Sequence, residues 1–417
     1  MISQRARSCA GSPTLAMDAK AKALKAEGKD LVSFTAGEPD FDTPDPIKEA
    51  GITAIRKGQT KYTPASGTLD LKKAVCEKFK RDNNLDYKPD QVIIGCGAKH
   101  VLYTFFQAIL DPGDKVLIPT PYWVSYPEQV KLAGGTPVFV ETTPQEGFLL
   151  SPEKLESALK TTPPPSQGRP GGGPKVLVLN SPSNPTGAVY PPDHLQKLAE
   201  IAVTAGMLIV SDEIYEKLLY SSDFPHASPA SFHPSIYNST VSVNGVSKSY
   251  SMTGWRIGYA AGPKEIIDAM GRIQSHETSN PSTMCQAAAL EALRRGDVDI
   301  IPMVEAFRKR RDLILSLLAQ IPGVICPKPE GAFYVFPDVS AYLSPSTSPC
   351  PPLGEKVGMR GNADDLCLAL LDKELVAAVS GVGFGAPTCI RLSYAISESD
   401  IKKGLDRITR FLASLRP

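Results

Sequence analysis

From residue 91 to residue 260 the chain repeats one pattern: a short run of apolar, β-favouring residues, then a stretch long enough for a helix. The strand-like runs fall at 91–95, 115–118, 136–140, 175–179, 207–210, 240–243 and 255–260. Runs this apolar are buried on both faces, and strands reach that state in a mostly parallel sheet covered by helices on either side. The alternation predicts an α/β fold. Ligands on such sheets sit beyond the carboxyl ends of the strands, and Gly97, Asn184, Asp212 and Lys248 each follow a strand.

Outside this block the pattern changes. Thr14 is placed to cap a helix that stops at Gly28, and an apolar run at 31–34 leads into the loop Ala36-Gly37-Glu38-Pro39-Asp40. Helical patterns at 46–57 and 69–82 flank an extended segment, Lys61-Tyr62-Thr63-Pro64. Beyond residue 306, long helices and short strands at 332–336 and 389–392 suggest a smaller α+β unit. The expected division is a large domain at 46–290, with 1–45 and 291–417 forming the small one. Two Pro-, Gly- and Ser-rich stretches, 161–174 and 343–362, read as mobile or disordered surface insertions.

A net charge of +1 gives no electrostatic reason to expect nucleic acid or an anionic membrane as a partner. No run of about 18 apolar residues predicts a membrane span. The eight cysteines are scattered, without a C-x-x-C pair or a nearby His at ligand spacing, so neither a metal site nor a disulfide framework is expected. The first 17 residues are rich in Arg, Ser and Ala and carry no acid, faintly like the tail of an organelle transit peptide, and they lack the apolar core of a secretory signal.

The chemistry concentrates in 243–259, VNGVSKSYSMTGWRIGY. Lys248 lies in a loop between two apolar strands, among Ser247, Ser249 and Ser251, with no acidic residue from Thr240 to Gly262. An ordinary surface lysine sits among other charges. A desolvated ammonium beside a second cation loses its proton more readily, and a neutral amine attacks a carbonyl to form a Schiff base. Ser247 and Arg256 are suitable donors for a phosphate dianion. An amine for an aldehyde beside phosphate ligands suggests pyridoxal 5′-phosphate.

Other segments are compatible with that reading. The turn Gly95-Cys96-Gly97-Ala98-Lys99 offers backbone N–H groups at a helix start, or is merely a tight turn. Asn184, at a strand end, offers an amide to a ring oxygen. Asp212 either caps a turn or sets a carboxylate against a pyridine nitrogen, keeping that ring an electron sink. Tyr215 is placed to bond the phenolic oxygen and Trp123 to stack on a flat ring. Arg391, inside an apolar strand, needs an anionic partner, either a substrate carboxylate or a structural ion pair.

Taken together, SKSYSMTGWRIGY, NSPSNPTGAVYP, VSDEIYE, AGEPDFDTP, KYTPASG and PYWVSYPE resemble the class I/II aminotransferases of PLP fold type I, over nearly the whole chain. Within them the chain is most similar to the prokaryotic-type (Iβ) aspartate aminotransferases, whose relatives in plant plastids and many bacteria also transaminate prephenate. The resemblance implies a three-layer α/β/α large domain and a smaller α+β domain. It implies that Lys248 joins the cofactor aldehyde, that Ser247, Arg256 and the Gly97-Ala98 backbone hold its phosphate, and that Tyr62 reaches the phosphate from the other subunit of a homodimer. Trp123 then stacks on the ring, Asn184 and Tyr215 bond its phenolic oxygen, and Asp212 its nitrogen. Gly37, Asn184 and Arg391 take the substrate α-carboxylate; Lys99 and Thr14 take the distal one, selecting small dicarboxylic amino acids and 2-oxo acids by charge. The compartment it implies is a plastid stroma in a photosynthetic eukaryote, and otherwise the cytoplasm. Three departures stand out: Ala10-Gly11 for a Lys-Pro, His100 for a glutamine, and Ser380-Gly381-Val382-Gly383-Phe384 for a Pro-Gly turn. The rival readings are an aromatic or kynurenine aminotransferase or a β-lyase on the same fold, an NAD-dependent dehydrogenase built on the 95–99 turn, and a non-catalytic binding protein.

Overall fold

The computed structural model describes residues 1–162, 174–344 and 359–415. Its centre is a seven-stranded sheet: β1 (Val92–Gly95), β2 (Lys115–Pro119), β3 (Thr136–Val140), β4 (Pro174–Asn180), β5 (Leu208–Asp212), β6 (Thr240–Gly245) and β7 (Gly258–Ala261). Their spatial order is β1-β7-β6-β5-β4-β2-β3. Only β7 runs against its neighbours, β1 and β6; the other pairings are parallel. Every residue of β1, β6 and β7 is buried, as the continuous apolar runs require.

The two faces of the sheet feed separate cores. On one, Ile93, Val243 and Ala260 pack with Val101, Phe105 and Phe106 of helix α1 (Ala98–Ile109) and with Ile267 and Met270 of helix α2 (Lys264–Glu277). On the other, Val92, Ile94 and Tyr259 meet Leu71, Val75 and Phe79 of the helix Leu69–Asn83, and Ala288 and Ala292 of the helix Thr283–Arg295. This is the three-layer α/β/α arrangement, and neighbouring positions along β1 serve opposite layers, the period of two expected of a strand.

The chain's two ends meet. Val32–Ser33 pairs in parallel with Val376–Ala377, and Ile390–Ser393 lies between Val379–Ser380 and Tyr334–Val335 in a second, antiparallel sheet. Helix Glu398–Leu415 crosses the arm so closely that a Cβ on Gly404 would lie 2.3 Å from the Phe34 ring. Among the described residues no helix is long and apolar enough to cross a membrane.

Three local expectations need correcting. The helix Pro13–Ala26 is capped by Ser12, whose hydroxyl accepts from Leu15 N–H at 3.4 Å, so Thr14 is inside the helix and free to face elsewhere. The expected strand from 255 does not carry Arg256: Thr253–Trp255 is a short 3-10 turn, and Arg256 has φ 56°, left-handed, before β7 begins at Gly258. Apolar neighbours masked that reversal. Third, β6 continues through Asn244-Gly245, two residues past the 240–243 run read from the sequence. Of the two insertions, 163–173 and 345–358 lie outside the described residues.

Candidate active site

A cavity of about 360 Å³ opens at the carboxyl ends of β4, β5 and β6, and its lining runs from Ser12 to Arg391. It gathers Thr14, Gly37, Ala98, Lys99, Trp123, Asn184, Asp212, Tyr215, Ser247, Lys248, Arg256 and Arg391. Gly97 stands immediately behind, as the residue before α1. Tyr62 is elsewhere: it is 90 % exposed and does not reach this cavity in the single chain.

The turn before α1 is fixed by contacts that a larger residue would break. Gly97 has φ 91°, and a Cβ on it would come within 2.4 Å of Arg256 Nη2; a Cβ on Gly258 would come within 2.2 Å of Ala98 N. Gly97 N–H donates to Gly95 O at 2.8 Å, while His100 and Val101 N–H donate back to Gly97 O at 3.1 and 3.2 Å. The helix start therefore presents its Ala98 and Lys99 N–H groups, and the positive end of its dipole, to the cavity. Gly97 contributes shape here, not a donor. Arg256 closes the same corner, donating to Thr253 O at 2.8 Å and to Cys96 O at 3.4 Å.

Lys248 sits in the turn after β6, its Nζ donating to Gly37 O at 2.5 Å and lying 5.9 Å from the centres of the Tyr215 and Phe333 rings. Burial pushes its pKa from 10.5 down to about 8; Glu38 opposes the shift, while Arg391, Arg256 and Lys99 add to it. That is the desolvated amine beside other cations expected from the acid-free sequence.

Asp212 ends β5 and is 4 % exposed. Tyr126 Oη donates to its Oδ2 at 2.6 Å and Ile214 N–H to its Oδ1 at 3.3 Å. Burial raises its pKa from 3.8 to about 6 against both hydrogen bonds. Tyr215 and Tyr334 share a hydroxyl–hydroxyl hydrogen bond of 3.0 Å, and burial holds the Tyr215 phenol well above its usual range.

Arg391 is 2 % exposed. It donates to Asn184 Oδ1 at 3.0 Å and to Thr35 O at 3.1 Å, lies over the Tyr334 ring at 4.5 Å, and leaves its Nε without a partner. Across the cavity, Lys99 Nζ lies 5.0 Å from the Trp123 ring centre, and burial followed by Arg256 lowers its pKa. Among the described residues none of Lys99, Asp212, Lys248, Arg256 and Arg391 forms an ion pair. A structural ion pair for Arg391 is thereby removed.

Sequence reasoning missed Tyr126, Tyr334 and Asn180. Asn180 donates to Asp212 O at 2.9 Å and accepts from Asn184 N–H at 2.9 Å, tying two of the expected residues together. Asn180 was within reach, as the first residue of the quoted NSPSNPTG motif. Tyr126 was likewise within reach, inside the quoted PYWVSYPE motif, but Tyr334 has no such signal, since only the tertiary fold brings it to Arg391. Of the departures, the Val382–Phe384 turn places Phe384 5.3 Å from the Arg391 guanidinium, and Ala10 N–H is held by Glu128 Oε2 at 2.9 Å.

Residues 29–408 match the family model for aminotransferase class I and II. An aspartate aminotransferase of Bacillus sp. (strain YM-2) is 48% identical over 412 residues, which span 99% of each chain. A bifunctional aspartate aminotransferase and glutamate/aspartate-prephenate aminotransferase of Petunia hybrida is 44% identical over 420 residues, covering all of this chain and 84% of that one. Among solved structures, an aspartate aminotransferase from Thermus thermophilus with maleate superposes with a TM-score of 0.88 at 44% identity, covering 98% of this chain and 99% of that one.

Proposed function

The chain belongs to the class I and II aminotransferases, and from that premise we propose that it is an aspartate aminotransferase, moving an amino group reversibly between L-aspartate with 2-oxoglutarate and oxaloacetate with L-glutamate. The observation that carries the reading is the charge set of one cavity: a carboxylate, Asp212, and four cations, Lys99, Lys248, Arg256 and Arg391, none of which forms an ion pair among the described residues. Asp212 and Arg391 are buried, and a buried charge without a partner is costly. Their missing partners are therefore those of the ligands, and the more exposed Lys99 and Arg256 stand at the same cavity to meet an anion.

These residues fit pyridoxal 5′-phosphate. A carboxylate whose pKa burial has raised to about 6 suits a protonated ring nitrogen. The Ala98 and Lys99 N–H groups, Ser247 and Arg256 suit its phosphate, and Tyr215 and Asn184 its phenolic oxygen. When bound, the group supplies an electron sink for a carbanion at the substrate Cα. Trp123, which lines the same cavity, would stack on the ring.

The chain's own residues then divide the work. Arg391 holds the substrate α-carboxylate in its fork, with Asn184 and the Tyr334 ring fixing the guanidinium plane. Lys99 holds the distal carboxylate, beside Thr14. Held at both ends, the substrate presents its Cα–H in one orientation. Lys248 Nζ takes that proton as general base and returns it as general acid. Its lowered pKa suits both directions at near-neutral pH.

A second substrate has support. Lys99 and Arg256 also line a neighbouring cavity of about 830 Å³ that reaches Ser12 and Tyr122. That space would admit a larger dicarboxylic oxo acid such as prephenate, the acceptor in the Petunia relative's name. Assays with oxaloacetate, 2-oxoglutarate and prephenate separate the two. A β-lyase would instead release pyruvate and ammonia without any acceptor.

Tyr62 belongs to this reading only through a second copy of the chain, in a two-fold homodimer. The division into a large unit at 46–290 and a small unit built from both ends is part of the same reading, and the pairing of Val32–Ser33 with Val376–Ala377 supports it. The central test is Lys248→Ala, which removes the amine. Turnover and the long-wavelength absorbance of the cofactor-loaded protein should both disappear, and retained turnover would reject the assignment.

A further inference from the structure

His100 directly follows Lys99 as the third residue of α1, and its ring folds back onto the turn that precedes the helix. Cys96 N–H donates to His100 Nδ1 at 3.0 Å, and His100 Nε2 lies 3.2 Å from Glu277 Oε2 at the end of α2. The imidazole is 11% exposed in its side chain and Glu277 30%. A backbone amide only donates, so Nδ1 carries the lone pair and the ring proton sits on Nε2, directed at the Glu277 carboxylate.

The next peptide, Cys96–Gly97, is gripped as well. Cys96 O accepts from Arg256 Nη2 at 3.4 Å. With the peptide before it held by His100 and the one after it by Arg256, Cys96 cannot change its backbone angles without breaking a contact on one side or the other. It directly precedes Gly97, whose φ of 91° sets the direction of the Ala98 and Lys99 N–H groups.

We propose that His100 is a positioning residue: its Nδ1, held in the acceptor tautomer by Glu277, fixes the Gly95–Cys96 peptide and so aims the start of α1 at the cofactor phosphate. The inference rests on the reading of this turn as the phosphate cradle. It requires an acceptor at the γ-branch of residue 100, not a ring.

Two variants separate those requirements. His100→Asn keeps an acceptor, Oδ1, the same number of bonds from Cα as Nδ1, and loses the ring; His100→Phe keeps a flat ring and has no acceptor. The full-length proteins, freed of cofactor, are titrated with pyridoxal 5′-phosphate and with pyridoxal, which has no phosphate. His100→Phe should weaken binding of the phosphate ester by about tenfold, the effect of leaving one buried donor unsatisfied. His100→Asn should stay within about twofold of the parent, and pyridoxal affinity should be alike in all three. In the histidine-labelled parent, nitrogen NMR should find the His100 proton on Nε2. An Asn variant as weak as Phe, a Phe variant as tight as the parent, or a proton on Nδ1 would overturn the assignment. A parent that binds pyridoxal as tightly as its phosphate ester would instead remove the cradle reading beneath it.

Discussion

An ionised Asp212, 4 % exposed and supported by Tyr126 and Ile214 with no ion-pair partner among the described residues, destabilises the folded chain that carries it, the more distant Lys248 offsetting only part of the cost of burial. The sign follows from the two pKa values. The unfolded side chain ionises near 3.8 and the folded one near 6, so between those values the folded protein binds more protons. Stability therefore falls as pH rises through that window, and the penalty is complete above it. Removing the charge should reverse this. Cofactor-free Asp212→Asn should be more stable than the parent at pH 7.5 by on the order of 2 kcal/mol, with the gain disappearing near pH 4. It should also bind pyridoxal 5′-phosphate less tightly. Denaturant melts at both pH values check the first statement, and a cofactor titration checks the second. A parent that is the more stable of the two at pH 7.5 would mean that Asp212 is anchored by its hydrogen bonds and needs no cation.

At the scale of elements, function depends on how closely two pieces of backbone approach. β7 brings Gly258 against the first peptide of α1, where a Cβ would lie 2.2 Å from Ala98 N. Backbone cannot yield as a flexible side chain does. Gly258→Ala should displace the start of α1, lowering the thermal midpoint and weakening cofactor binding at least tenfold, by the usual size of overpacking strain. Calorimetry and titration of the same variant measure both effects. This element also marks the limit of what the sequence discloses. The inner parallel strands were legible because each is buried on both faces and so reads as an apolar run; β3, at the edge, has only Val140 buried, against the burial its sequence suggested. The motif residues following them were legible because strand ends are where ligands sit on such sheets. The left-handed backbone at Arg256 was not, since an arginine carries none of the turn signals of glycine or asparagine. Tyr334 was hidden for another reason, since nothing within its own segment refers to Arg391; Tyr126 stood in a quoted motif, but only the fold shows that its hydroxyl meets Asp212. Ser12 and Thr14 both cap helices well, and only the backbone at Ser12 decides between them.

At the scale of the whole molecule, the cavity is a seam between distant parts of the chain. Arg391 belongs to the C-terminal sheet, yet its guanidinium bonds Asn184, after β4, and the Thr35 carbonyl of the N-terminal arm. Asp30 in that arm is bound in turn by Lys403 and Arg407 of the last helix. A dicarboxylate spanning Arg391 and Lys99 would join the seam from inside. A four-carbon dicarboxylate that lacks an amino group should raise the thermal midpoint of the cofactor-loaded protein by several degrees at saturating concentration. Arg391→Ala and Lys99→Ala should each abolish most of that rise, whereas an undiminished rise in either would place the ligand elsewhere. The order in which the residues leave the ribosome then matters. Lys248 and Asp212 emerge well before the cation at 391 and the helix that secures the arm, so a nascent chain, or one cut short before residue 391, carries the amine but lacks the guanidinium that would hold an α-carboxylate against it.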